Sequence, residues 1–357
     1  MPTKVLIIDD SALVRNLLKE VFAKDPSIEV VGSAPDPFVA RDKIIKYNPD
    51  VITLDVEMPR MDGITFLKKL MRYYPIPVII LSSLTQKGAL TTLEAMEEGA
   101  VEVIAKPSLD ITKGIEVISR DIIEKVKGAA AAKVRKRVEE EKSEKPRVIE
   151  RIRERTALTQ STHKIIAIGA STGGTEAVRF VLERMPPTAP GILIVQHMPE
   201  KFTKAFAERL DGLCAVNVKE AKDGDAVIQG TALIAPGNYH MQLRRDGARY
   251  YVKLDQGERV FHQRPSVDVL FDSVAKYAGR NAVGAVLTGM GADGAAGLLK
   301  MRQAGARTMA QDEESCVVFG MPKEAIKLGG AEKIVALGNV TDELLKFAAL
   351  LDKEAAV

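Results

Sequence analysis

The apolar positions of this chain fall into two series of short runs that do not alternate with polar residues. In the first series, Val5–Ile8, Val30–Gly32, Val51–Leu54, Val78–Leu81 and Val101–Ala105 are nearly unbroken aliphatic stretches. Strands covered on both faces read this way, because a half-solvated strand would show every second residue polar. Helical spacing fills the gaps at 11–22, 37–46, 63–73, 87–98 and 114–127. Five such repeats with right-handed crossovers predict a doubly wound parallel sheet of the flavodoxin-like kind over residues 1–127.

The second series starts at Lys164. Strands are predicted at Ile165–Ile168, Ile192–Val195, Ala232–Ile234, Ala282–Leu287 and Arg307–Ala310, with helices near 175–184, 202–210, 268–278 and 295–303. Tyr239–Leu243 and Ala248–Leu254 flank Arg245-Asp246-Gly247, a hairpin signal. The expected fold over 162–357 is a second doubly wound α/β domain, Rossmann-like with a β-hairpin appendage. Between the series, residues 128–161 run through Ala129–Ala132 into mixed charge from Lys133 to Arg155, broken by Pro146 and without an aromatic residue. That stretch has too little apolar surface to order itself, so it is expected to be a linker, either a solvated spacer or a docking segment.

Composition narrows the partners. A net charge of +3, no Trp and few aromatics argue against nucleic acid. No apolar stretch approaches the roughly 20 residues that span a bilayer, and the run after Lys4 is too short for a signal peptide, so direct membrane insertion is not expected. Cys214 and Cys316 make no disulfide framework or metal cluster, which suits a reduced, cytoplasmic compartment. The chain is expected to act as a monomer.

Candidate chemistry sits where strands end. In the first domain, strand one runs into Asp9-Asp10, strand three into Asp55, strand four into Ser82-Ser83 and strand five into Lys106-Pro107. Ligands of open α/β sheets bind at those carboxyl ends. Three converging carboxylates repel one another unless a cation lies between them, and an oxygen-only set suits Mg²⁺. Taken singly, Asp10-Ser11 could cap a helix, Asp55 could cap a loop and Lys106 could be a surface lysine. All four at the carboxyl ends of strands point to a phospho-accepting carboxylate. The acidic pair, the block Leu54–Gly63, the hydroxyl residue and Lys106-Pro107 resemble the response-regulator receiver family. That resemblance implies phosphorylation of Asp55 by a histidine kinase, Mg²⁺ held by Asp10 and Asp55 with Asp9 nearby and Glu57 giving its backbone carbonyl, and Ser82 and Lys106 as switch residues.

In the second domain, strand Ile165–Ile168 leads into Gly169-Ala170-Ser171-Thr172-Gly173-Gly174 and then a helix. This matches G-x-S-x-G on a strand–turn–helix, the context that presents a nucleophilic hydroxyl. His197 follows the next strand, where a base belongs, and Asp293 follows strand Ala282–Leu287, where it can orient the imidazole. A competing pattern overlaps: Gly289, Gly291 and Gly294 spell G-x-G-x-x-G, and Asp312 follows the next strand like a ribose-binding acid. A phosphorylation-controlled oxidoreductase is therefore a second reading, although it leaves Ser171 and His197 unexplained.

Gly169–Gly174, Gln196–Pro199, Ala235-Pro236-Gly237 and Thr288–Gly294 are similar to the motifs of the chemotaxis receptor-glutamate methylesterases, the CheB family, whose domain order this chain shares. The resemblance implies a Ser171–His197–Asp293 triad, the Met290 backbone N–H in the oxyanion hole and Thr172 supporting His197. It implies no cofactor in the catalytic domain. The implied reaction is hydrolysis of γ-glutamyl methyl esters on chemoreceptors to glutamate and methanol, with deamidation of certain receptor glutamines, in chemotaxis adaptation. Two domains on a charged linker suggest control by a receiver that blocks the Ser171 cleft until Asp55 is phosphorylated. Of the other histidines, His240 is expected to line the cleft; His163, His262 and both cysteines are expected to be structural.

Overall fold

Each apolar run of the two series becomes a parallel strand whose bounds differ from the expected ones by no more than two residues. The computed structural model describes residues 1–58, 61–83, 85–106, 115–134 and 164–354. The chain divides into two compact units, 1–139 and 140–357. Most of the expected linker, residues 135–161, and Pro107 and His163 lie outside the described residues.

The first unit alternates β1 (Thr3–Ile8), α1 (Ala12–Phe22), β2 (Ile28–Ala34), α2 (Pro37–Tyr47), β3 (Val51–Asp55), α3 (Gly63–Tyr73), β4 (Val78–Ser82), α4 (Gln86–Glu97), β5 (Glu102–Ala105) and α5 (Ile115–Ala130). The strands lie in the order β2-β1-β3-β4-β5 and are all parallel. Strand succession turns back between β1 and β3, and the crevice that opens there is the ligand position of such sheets. Helix α5 runs three residues past the expected end of the domain at 127.

The second unit contains β6 (Ile165–Ala170), α6 (Gly174–Leu182), β7 (Gly191–Gln196), α7 (Phe202–Leu213), β8 (Asn217–Glu220), β9 (Thr231–Ile234), β10 (His240–Asp246), β11 (Arg249–Asp255), α8 (Val267–Tyr277), β12 (Ala282–Val286), α9 (Ala295–Gln303), β13 (Arg307–Gln311), α10 (Met321–Lys327), β14 (Lys333–Val335) and α11 (Val340–Glu354). Seven parallel strands stand in the order β14-β13-β12-β6-β7-β9-β8. Without edge strand β8 this is the dinucleotide-fold order, with β6 at its centre. β10 and β11 form a separate antiparallel hairpin that turns at Gly247-Ala248, one residue later than the sequence signal suggested. Strands β8 and β14 are three or four residues long, too short for a period to register.

The hairpin and α8 share one core with the sheet. Met241, Leu243, Tyr250 and Val252 of the hairpin pack with Leu270, Phe271 and Val274 of α8 and with Ile165 and Ala167 of β6, all buried. Close seating of α8 requires a missing side chain. A Cβ on Gly169 would lie 2.2 Å from Val267 Cγ1, and one on Gly297 of α9 would lie 2.7 Å from Phe271 Cβ. Bare backbone at those points lets the α8 N-terminus reach the carboxyl ends of β6 and β12. Gly169→Ala should therefore overpack this seam, costing on the order of 1–3 kcal/mol. Chemical denaturation would show it as a lower midpoint for the transition of the second unit.

Candidate active site

The two clusters of polar residues form at the two switch points. In the first unit Asp9, at the end of β1, and Asp55, at the end of β3, are fully buried, and Asp10 beside them is exposed. One carboxylate oxygen from each of the three lies within 4.8 Å of the other two. Lys106 Nζ, entering from the end of β5, lies 2.6 Å from Asp55 Oδ2 and 3.3 Å from Asp9 Oδ2. Asp55 Oδ1 accepts the Glu57 N–H at 2.9 Å, and Asp9 Oδ1 accepts the Ser11 N–H at 2.9 Å.

Burial, reinforced by the charge of Asp55, raises the Asp9 carboxyl above its usual range despite the opposing pull of Lys106. Burial pushes Lys106 down, but its bond to Asp55 and the negative charges around it outweigh that and raise it. Asp9 Oδ2 is buried and accepts no well-formed hydrogen bond. Three clustered carboxylates, one with a buried oxygen short of hydrogen bonds, are a donor set for a hard cation, so the residues fit Mg²⁺. Ser82, also buried, donates to the Gly88 carbonyl at 3.1 Å, so its hydroxyl is engaged with the first turn of α4.

In the second unit three adjacent strands deliver the candidate triad. Ser171 follows β6, His197 follows β7, and Asp293 ends the loop after β12. All three are buried. The segments are tied through the backbone: His197 N–H donates to the Ala170 carbonyl at 3.1 Å, and Ser171 N–H to the Thr288 carbonyl at 3.0 Å. Gln196, the last residue of β7, donates its carboxamide N–H to the Ser171 carbonyl at 2.9 Å. His197 Nε2 lies 2.8 Å from Asp293 Oδ2. With Nε2 so engaged, Nδ1 is the imidazole nitrogen left for a serine hydroxyl.

Glycines permit this convergence. Gly173 precedes α6 at φ +75, and a Cβ there would lie 2.5 Å from Val317 Cβ. A Cβ on Gly289 would lie 2.8 Å from Ser171 Cβ, so that glycine lets the loop carrying Asp293 touch the turn carrying Ser171. The G-x-G-x-x-G pattern thus has a use in this turn. Asp312, the candidate ribose acid, instead accepts the Ser315 N–H at 3.0 Å and the Ser315 hydroxyl within its own turn. Thr288 Oγ1 donates to the Thr172 carbonyl at 3.0 Å and accepts the Val318 N–H at 3.0 Å, clamping three loops. Met290 is half-buried on the same loop, and Thr172 is buried beside Ser171.

Residues that sequence reasoning passed over hold the carboxylate. Asp293 Oδ1 accepts the Ser266 hydroxyl at 2.8 Å and the Asp268 N–H at 2.9 Å; Oδ2 accepts the Val267 N–H at 2.8 Å as well as His197. Burial opposes ionisation of Asp293, but the His197 bond and charge and these backbone N–H groups prevail and hold its carboxyl below the usual range. Ser266 is the N-cap of α8, and its aim at Asp293 follows only from how that helix packs. His240, expected to line the cleft, has both ring nitrogens engaged within the protein. It is buried, with Nδ1 accepting the Ser266 N–H at 3.2 Å and Nε2 2.8 Å from the Glu258 carbonyl.

Two family models match the chain: one described as CheB methylesterase over residues 166–344, and one as response regulator receiver domain over residues 5–118. A protein-glutamate methylesterase/protein-glutamine glutaminase of Syntrophus aciditrophicus is 61% identical over 344 residues, 96% of this chain and 98% of that one. A protein of the same description from Pectobacterium atrosepticum is 55% identical, covering 96% of each chain. The crystal structure of the Thermotoga maritima CheB methylesterase catalytic domain is 38% identical with a TM-score of 0.50, covering 51% of this chain and 97% of that one.

Asp268 supplies a test of the electrostatics here. It accepts the Gly297 N–H at 2.6 Å. Burial, aided by the charges of Asp293 and Asp272, pushes its carboxyl up to about 6 from 3.8. Its folded value lies above the unfolded one, so the stability it contributes is present in full below about pH 4 and is lost as pH rises through about 6. Asp268→Asn keeps the acceptor and removes the charge. Its melting temperature should match the parent near pH 4 and exceed it above about pH 7, by the equivalent of about 1–2 kcal/mol.

Proposed function

The chain belongs to the CheB methylesterase family, and on that premise we propose that it is a phosphorylation-activated protein-glutamate methylesterase and glutaminase acting on methyl-accepting chemoreceptors during chemotaxis adaptation. The hydrogen bond between His197 and a buried, ionised Asp293, on strands either side of the one that ends at Ser171, carries this reading.

In the proposed reaction Ser171 attacks the γ-carbonyl carbon of a glutamyl methyl ester while His197 takes the hydroxyl proton. The imidazolium returns that proton to the departing methoxide, leaving methanol and a glutamyl-serine ester. Water then gives a proton to His197 and attacks the acyl carbon, releasing the glutamate side chain and restoring the Ser171 hydroxyl. A receptor glutamine follows the same course and releases ammonia. Asp293 fixes the imidazole and stabilises its positive charge without taking its proton. The Met290 backbone N–H and the N-terminus of α6 are proposed to receive the oxyanion, and Thr172 to support His197.

Control is proposed to begin at Asp55, which accepts a phosphoryl group from the histidine kinase of the pathway. A Mg²⁺ ion held by Asp9, Asp10, Asp55 and the Glu57 carbonyl would, when bound, neutralise charge on the phosphoryl oxygens. Lys106 adds a second positive charge on Asp55, and Ser82 exchanges its bond to Gly88 for one to the phosphate. Among the described residues no helix is long and apolar enough to cross a membrane. We propose that the enzyme works in the cytoplasm on the receptors' cytoplasmic helices.

Methanol released from methyl-labelled receptor membranes measures both halves of the proposal. Ser171→Ala should lower turnover by about 10³–10⁶-fold; near-parent turnover would remove the nucleophile assignment. Asp55→Asn should abolish the stimulation that a small-molecule phosphodonor gives the parent protein, and a stimulation equal to the parent's would place the acceptor elsewhere.

A further inference from the structure

We propose that Ser266 is a positioning residue of the esterase centre: its buried hydroxyl, with the first N–H groups of α8, holds the Asp293 carboxylate in the one orientation that presents Oδ2 to His197. The inference rests on the triad proposed above.

Asp293 lies at the end of a glycine-rich loop whose Gly291 and Gly294 both have positive φ. Such a loop does little by itself to fix a carboxylate. Of the four donors that reach this one, three come from residues 266–268, across the site. The backbone donors Val267 N–H and Asp268 N–H serve one oxygen each. The Ser266 hydroxyl is the second donor on Oδ1. Without it, Oδ1 keeps a single bond and the carboxylate gains freedom to rotate about its last torsion, which carries Oδ2 off the line to His197.

Ser266 is itself held in place. It is fully buried, and its N–H donates to His240 Nδ1. Because that nitrogen accepts, the His240 proton resides on Nε2 and points at the Glu258 carbonyl. The segment before Ser266 is pinned by Arg264, whose Nη2 donates to Asn238 Oδ1 at 2.7 Å and whose carbonyl accepts the Asn238 N–H at 3.0 Å. His240, Ser266, Asp293 and His197 thus form one continuous chain of hydrogen bonds that begins in the hairpin strand β10 and ends at the base.

A fully buried Ser266 touches no receptor helix, so its loss should act on turnover rather than on receptor binding. The hydroxyl has a second role, as N-cap acceptor for Val269 N–H at 3.5 Å. Two substitutions separate the roles. Ser266→Ala loses donor and cap, whereas Ser266→Gly loses the donor but remains an acceptable N-cap.

The test measures methanol release from methyl-labelled receptor membranes by the full-length chain with phosphodonor, below the melting temperature of every variant. Ser266→Ala, Ser266→Gly, Asp293→Ala and the Ser266→Ala/Asp293→Ala double variant are compared. Both Ser266 variants should lose about tenfold to a hundredfold in kcat, the range for a hydrogen bond to a charged group, with KM within twofold of the parent. The double variant should be no slower than Asp293→Ala alone.

The proposal is overturned if a folded Ser266 variant keeps kcat within twofold of the parent. A loss that tracks melting temperature, large in Ala and absent in Gly, would also overturn it, as would losses that multiply in the double variant. If Asp293→Ala itself keeps full turnover, the triad reading fails; if Asp293→Ala is impaired and the Ser266 variants are not, only the positioning role fails.

Discussion

A carboxylate that is 2% exposed must either take a proton or have its lone pairs filled. Asp293 is held in the second condition, with two donors on each oxygen. That arrangement requires α8 to start where it does, pressed onto β6 at a residue without a side chain. It also requires Gly289 to bring the β12 loop against Ser171. If the α8 N-terminus stood one turn away, Asp293 would face burial with fewer donors and would tend to protonate, leaving the imidazole without an anionic partner.

Both units use the same device to gather charge. In an open parallel sheet the strand order reverses once, and at that point the loops leave in opposite directions and expose the strand ends. β1 and β3 border the reversal in one unit, and β6 stands between β7 and β12 in the other. The two sites then differ in how charge is balanced. Around Asp9 and Asp55 the acids outnumber Lys106, so Asp9 Oδ2 faces that ammonium at 3.3 Å without a well-formed hydrogen bond, which suits a divalent cation. Around Asp293 the balance is closed by protein donors, which suits a site that works by moving one proton between side chains.

The glycines explain why the competing pattern arose. Gly289 and Gly294 are spaced like a dinucleotide fingerprint because both sit in a strand–turn–helix that must approach another backbone closely. Here the close neighbours include Ser171 for Gly289 and Val267 for Gly294. Asp312 resembles a ribose-binding acid only by its distance along the chain; in three dimensions it closes a turn with Ser315. Its ambiguity was real at the level of spacing.

Placement of every strand but β8 and β14, the parallel sheets, the hairpin and the residues at the strand ends could be read from the chain, because each depends on local period and on the short turn that follows a strand. Ser171, His197, Asp293, Asp9, Asp55 and Lys106 belong to that group. Contacts between segments distant in sequence could not be read. Ser266 drew no notice in the sequence, yet its hydroxyl serves a carboxylate 27 residues away; His240, singled out as a candidate cleft residue, accepts the Ser266 N–H. Ser82 carries the right hydroxyl at the right strand end, but that it rests on Gly88 follows only from the path of α4. Periodicity and turn chemistry are properties of neighbours in the chain. The choice of donor for a buried charge belongs to the packing of whole elements against one another, and only the folded protein makes it.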